Sequence, residues 1–136
     1  MPDYAELDVT TNFSFLHSAS HPEELAKTAA ALELSAIAVT DRNTLAGLVR
    51  AHQAAKEAGI KLIIGARLDL QDALSLLCFP TDRAAYARLS NLITLGRRRA
   101  PKGGCEIYVE DVFAHSGGQL FISLPPDELD SDYTAY

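Results

Sequence analysis

Short apolar runs alternate along the chain with stretches in which apolar residues recur every three or four positions. AELDV (5–9) alternates in polarity and predicts a first strand; AIAVT (36–40), KLIIG (61–65), LSLLCF (74–79) and GQLFISL (118–124) predict four more. Helical patterns lie between them. Ser20-His21-Pro22-Glu23 has the form of a capping box, and it opens a helix with Leu25, Ala29 and Leu32 inward and Glu24 and Lys27 in water. Asn43 or Thr44 caps a second helix, whose buried face is Leu45, Leu48, Val49 and His52 and whose left-handed terminator is Gly59. A third opens at Pro80-Thr81-Asp82, puts Tyr86, Leu89, Leu92 and Ile93 on one side, and closes at Gly96.

Strand and helix in alternation with short connections predict an α/β fold, a mostly parallel sheet with helices outside, either open or part of a barrel. Residues 125–136, PPDELDSDYTAY, are acidic and carry neither period, so they are expected to form a loose tail behind a folded part spanning 1–124.

Composition narrows this picture. With 136 residues and 48% hydrophobic content the chain suits one packed domain, and no apolar run approaches the ~18 residues that a membrane span needs. The start, MPDYAEL, has no basic, apolar leader, which with the lack of a span points to the cytoplasm and no membrane partner. Cys78 and Cys105 form no C-x-x-C pair and read as reduced thiols, the first buried. A net charge of −6 disfavours independent nucleic-acid binding, so any DNA role is indirect. The local exception is RRRAPK (97–102), where Arg97, Arg98, Arg99 and Lys102 follow a helical pattern. They read either as a solvated helix end favoured by the dipole or as a contact to DNA phosphate.

In parallel α/β folds the strand ends gather on one rim, and that rim carries the chemistry. Here it holds Asp8, Val9 and Thr10 after the first strand, Asp41 and Arg42 after the second, and Ala66 and Arg67 after the third, with His17 in the first loop. Asp8, His17 and Asp41 are residue types that suit Mn, Fe or Zn; carboxylates at strand ends equally serve as helix caps or arginine partners. Phe13 and Phe15 in NFSFL read as loop packing more readily than as base-stacking groups.

The stretches YAELDVTTNFSFLHSASHPEEL, AIAVTDRNTLAGLVRAHQAAKEAGIKLIIGARLDL and LLCFPTDRAAYARLSNLITLGRRRAPKGG carry a resemblance over most of residues 4–104. The chain resembles the N-terminal part of a PHP domain (polymerase and histidinol phosphatase) in the form found at the start of bacterial error-prone DNA polymerases related to the polymerase III α subunit. The resemblance implies an incomplete (β/α) barrel, short of strands and with an open apolar edge. Metal-binding members carry His-x-His where this chain has Asp8-Val9-Thr10, an acidic ligand at His17, Asp-His at Asp41-Arg42 and Glu at Ala66. A guanidinium stays protonated and cannot ligate. The resemblance therefore implies a degenerate metal site, filled by pairing of Arg42 with Asp41 or Asp8, with no cofactor and at most a weakly held Mn, Zn or Mg ion. It implies a structural module of a polymerase with no catalytic residue of its own, whose partner is the remainder of the polymerase chain. A small metal-dependent phosphoesterase and a free-standing interaction protein are the other two readings.

Overall fold

The computed structural model describes residues 3–126. Within them run six strands and four helices, and the chain divides into two compact units at Arg67/Leu68. The expected tail at 125–136 lies outside the described residues from 127 onward.

The first unit is a parallel three-stranded sheet of order β1-β2-β3, from β1 (Ala5–Val9), β2 (Ala36–Val39) and β3 (Lys61–Ile64). All four residues of β2 are buried, as an unbroken apolar run requires of a central strand. Helices α1 (Pro22–Ala31) and α2 (Leu48–Ala58) meet through Ala26, Ala29, Ala54 and Ala55, which cluster with Ile37 and Ile60. Small side chains here let the two backbones approach closely.

Both helices are rotated from the faces read in the sequence. In α1 the N-cap is His21, with Pro22 at a position whose N–H would be open anyway, and Glu24 rather than Glu23 accepts the His21 N–H at 2.9 Å. Glu23 is instead spent on Arg50 of α2, at 3.0 and 3.1 Å. The buried positions become Pro22, Ala26 and Ala29, while Leu32 stays 61% exposed. In α2, Gly47 precedes the first turn, Leu48, Ala51, Ala54 and Ala55 face inward, and Val49 and His52 are exposed. Gly59 ends it in the left-handed region, φ 74°, as expected.

The second sheet has order β4-β5-β6, from β4 (Ala66–Leu68), β5 (Leu76–Pro80) and β6 (Gln119–Ser123). β6 runs antiparallel to β5, with Cys78 opposite Phe121, so the expected mostly parallel arrangement holds for the first sheet and fails for this pair. Helix α3 (Arg83–Arg99) is capped by Asp82, which accepts from the Ala85 N–H at 2.7 Å, and buries Leu89, Leu92 and Ile93. Gly96 does not end it. The helix runs through this residue, and a Cβ there would lie 2.6 Å from Ile107 and 2.7 Å from the Cys105 sulfur, so glycine serves a close approach rather than a stop. A short helix, α4 (Val109–Ala114), occupies a stretch to which the sequence reading assigns no element. No helix among the described residues is long and apolar enough to cross a membrane.

Candidate functional site

The strand-end rim is organised around Asp41, 2% exposed, immediately beyond β2. Its Oδ1 accepts the Thr11 N–H at 2.8 Å and the Ser14 hydroxyl at 2.7 Å; its Oδ2 accepts the Thr11 hydroxyl at 2.7 Å. Thr11 and Ser14 are themselves buried, and they belong to the loop that leaves β1. Each hydroxyl passes the connection on: Thr11 Oγ1 accepts from the Phe13 N–H at 3.1 Å and Ser14 Oγ from the Arg42 N–H at 3.0 Å. A carboxylate buried without partners would be prohibitive, and this one is fully engaged by short, charge-assisted bonds.

The backbone at Asp41 extends the sheet past its named strands. Arg67 donates its N–H to the Asp41 carbonyl at 3.0 Å and its carbonyl accepts from Asn43 at 2.8 Å, which sets Arg42 and Arg67 side by side in a parallel bridge. Gly47 completes the floor: a Cβ there would fall 2.9 Å from the Phe13 ring and 3.1 Å from Asp41 Oδ2. Phe13 thus sits against Gly47, with the Arg50 guanidinium 5.8 Å from its centroid. Phe15 does not pack as expected but is 82% exposed, and Leu16 beside it is 86% exposed with φ 65°.

The remaining sequence candidates are dispersed in character. Asp8 is exposed and its Oδ1 accepts the Thr40 hydroxyl at 2.8 Å. Thr10 is half-buried, His17 exposed, and Ala66 fully buried, presenting a methyl group. Arg97, Arg98 and Arg99 form the last turn of α3 rather than following it. Arg99 grips the Asp111 carboxylate at 2.7 and 3.1 Å and lies 5.4 Å from the Tyr108 ring; Lys102 is exposed. That ion pair and hydrogen bond hold the Asp111 carboxyl below its ordinary range.

These residues do not fit a divalent ion. Both oxygens of Asp41 are used by hydroxyl and amide donors, and among the described residues no three His, Cys, Asp or Glu side chains gather as a ligand set. What the arrangement does is mechanical: it fastens the loop after β1 to the end of β2. Thr11, Ser14 and Gly47 were missed in the sequence reading, which had Phe13 only as loop packing. The signal for Thr11 and Ser14 was there in TTNFS, short hydroxyl residues in a strand-to-helix loop facing a strand-end aspartate that has to find donors.

Residues 6–123 match the PHP domain family, and the chain belongs to it. It is 56% identical over 133 residues to an error-prone DNA polymerase of Caulobacter vibrioides, covering 97% of this chain and 12% of that one. With error-prone DNA polymerase 3 of Agrobacterium fabrum it shares 53% over 128 residues, again 12% of the relative. The chain thus spans about an eighth of the length of these relatives. Among solved structures, a protein described as a metal-dependent phosphoesterase from Bifidobacterium adolescentis superposes with a TM-score of 0.61 at 25% identity, over 72% of this chain and 34% of that one. An amidohydrolase from Chromobacterium violaceum gives 0.58 at 24%, over 69% and 33%, a likeness of fold.

Proposed function

We propose that the chain is the N-terminal PHP module of an error-prone, damage-tolerant DNA polymerase and that it serves there as scaffold. The observation that carries this reading is the match of almost the whole chain, above 50% identity, to segments of such polymerases. In such an enzyme nucleotidyl transfer belongs to carboxylates elsewhere in the polypeptide, in the cytoplasm, during translesion synthesis and repair. The module's partner is the rest of the polymerase, and DNA touches it only at its margin, through Arg98, Lys102 and their neighbours Arg97 and Arg99. Its strands are part of a PHP barrel over residues 1–124 whose remaining strands come from outside this chain.

On this reading the metal centre has become a fastening. Asp41 keeps its carboxylate but gives it to Thr11 and Ser14; Arg42 adds a fixed positive charge that offsets Asp8 and Asp41 and repels a cation; Ala66 offers no donor. Manganese, zinc or magnesium binds at most weakly. The phosphoesterase reading draws on the fold neighbour and lacks this donor set.

The test has two arms. The Caulobacter relative with its matching segment replaced by this chain is expected to extend a primed template. The separate chain, titrated with manganese, is expected to turn over neither an aryl phosphate nor a 3′-labelled oligonucleotide. Turnover that rises with metal and is lost in His17→Ala would establish the phosphoesterase instead.

A further inference from the structure

The second unit holds an apolar cleft of about 330 Å³ that the strand-end rim does not use. Leu70, Leu74, Leu76, Val112, Phe113 and Phe121 line it, with no charged side chain in the lining. Its walls are built rather than incidental. The Asp72 carboxylate accepts the Val109 N–H at 2.9 Å at the start of α4, Gln71 donates to the Ile107 carbonyl at 2.9 Å, and Arg99 clamps Asp111 of the same helix. Phe113 nevertheless stands 70% exposed, and Phe121 on β6 37%.

A sheet face in an α/β fold is closed by a layer of helices. On the face that carries Leu76 and Phe121, α3 covers one end, where Gln119 donates its side-chain amide to the Ala85 carbonyl at 2.7 Å, and α4 supplies only six residues beside Leu76 and Phe121. One further helix alongside α4 would complete the layer. We propose that this cleft receives the apolar face of a helix from the polymerase sequence that, in chains of the relatives' length, follows the segment matched here. Two observations select that occupant. The lining calls for apolar side chains and gives a charged or nucleic-acid partner nothing to bind. The relatives carry about seven times as much polypeptide again as this segment. The proposal rests on the polymerase reading above.

Cysteine accessibility tests it. Phe113→Cys and, on the opposite wall, Phe121→Cys are placed in the 136-residue chain and in the Caulobacter chimera, and maleimide labelling is followed peptide by peptide by mass spectrometry. Val49→Cys, at a position 79% exposed on α2, is the reference. Labelling at 113 and 121 is expected to slow at least tenfold in the chimera while position 49 is unchanged. Equal rates in a chimera that extends primed DNA overturn the cleft proposal and leave the polymerase reading standing. A chimera of native sequence that fails to extend DNA removes that reading and the proposal with it. Slowing shared by position 49, or labelling of the separate chain at 113 that accelerates on dilution, also overturns it, the latter by making a second copy the occupant.

Discussion

Thr11 gives both its backbone N–H and its hydroxyl to the carboxylate of Asp41, at 2.8 and 2.7 Å, across 30 residues of sequence. The pair joins the end of β1 to the end of β2 at the strand-end rim. A long-range staple of this kind fixes the loop only while the acceptor survives.

Asp41→Ala strands three buried donors, and at ~1–3 kcal/mol for each unsatisfied group, softened by relaxation, the loss is about 3 kcal/mol. Asp41→Asn costs less, about 1 kcal/mol, because its carbonyl oxygen can keep the Oδ1 bonds while its NH₂ turns to the Thr11 hydroxyl, which can rotate. Urea unfolding of the two variants reads the difference. Equal losses would mean that the charge, and not the acceptor geometry, holds the loop.

Gly96→Ala tests the other close approach. In the middle of a helix alanine normally stabilises by ~0.5–1 kcal/mol over glycine. Here its methyl would enter a gap of 2.6 Å to Ile107 and 2.7 Å to the Cys105 sulfur, and the neighbouring segment is tied down by the Glu106 N–H on the Gly96 carbonyl at 2.9 Å. Overpacking, ~1–3 kcal/mol, outweighs the helix gain, and the variant is expected to unfold at lower urea by about 1–2 kcal/mol. A variant more stable than the parent would show that the segment 105–107 moves aside freely.

Gly96 also shows where the sequence stopped being legible. Periodicity located all three long helices and the five longer strands, because the alternation of apolar positions reports burial directly. It put α1 and α2 on slightly wrong faces, since alanine, a weak hydrophobic signal, does the burying at Ala26, Ala29, Ala54 and Ala55. A glycine that terminates a helix and one that admits a crossing segment look the same in one dimension. The antiparallel turn of β6 and the six-residue α4 depend on tertiary pairing, which no local period encodes. At the rim, Asp41 was legible as one candidate among several, whereas its place at the centre and its partners Thr11 and Ser14 became visible only once the loop was folded back.

Burial pushes the Cys78 thiol up to about 12 and raises that of Cys105 as well. At pH 8 a thiol of that pKa is thiolate to about one part in 10⁴, and the thiolate is the reactive form. Iodoacetamide is therefore expected to modify Cys105, the less buried, first, and Cys78 only as the chain unfolds in urea. Prompt modification of Cys78 in native buffer would place β5 at the surface.

The Asp111–Arg99 pair sets an acid dependence of known sign. The hydrogen bond from Arg99, helped by the N–H of Tyr108, lowers the Asp111 carboxyl in the folded chain. A group depressed on folding adds stability that is complete above its unfolded value, ~3.9, and disappears as pH falls through the folded one. Asp111→Asn removes the titrating group and leaves an amide that still reaches the helix start. The gap in urea midpoint between parent and variant should be flat from neutral pH to about pH 5 and should narrow below about pH 4. Salt should shrink it at neutral pH, because the pair is partly exposed, 34% at Arg99 and 15% at Asp111. Arg99→Lys should lose the forked geometry and the contact with Tyr108 while keeping the charge, and so fall between the two. A gap that persists unchanged to pH 2 would mean that Asp111 contributes through its hydrogen bond at the start of α4 alone, with no part played by its charge.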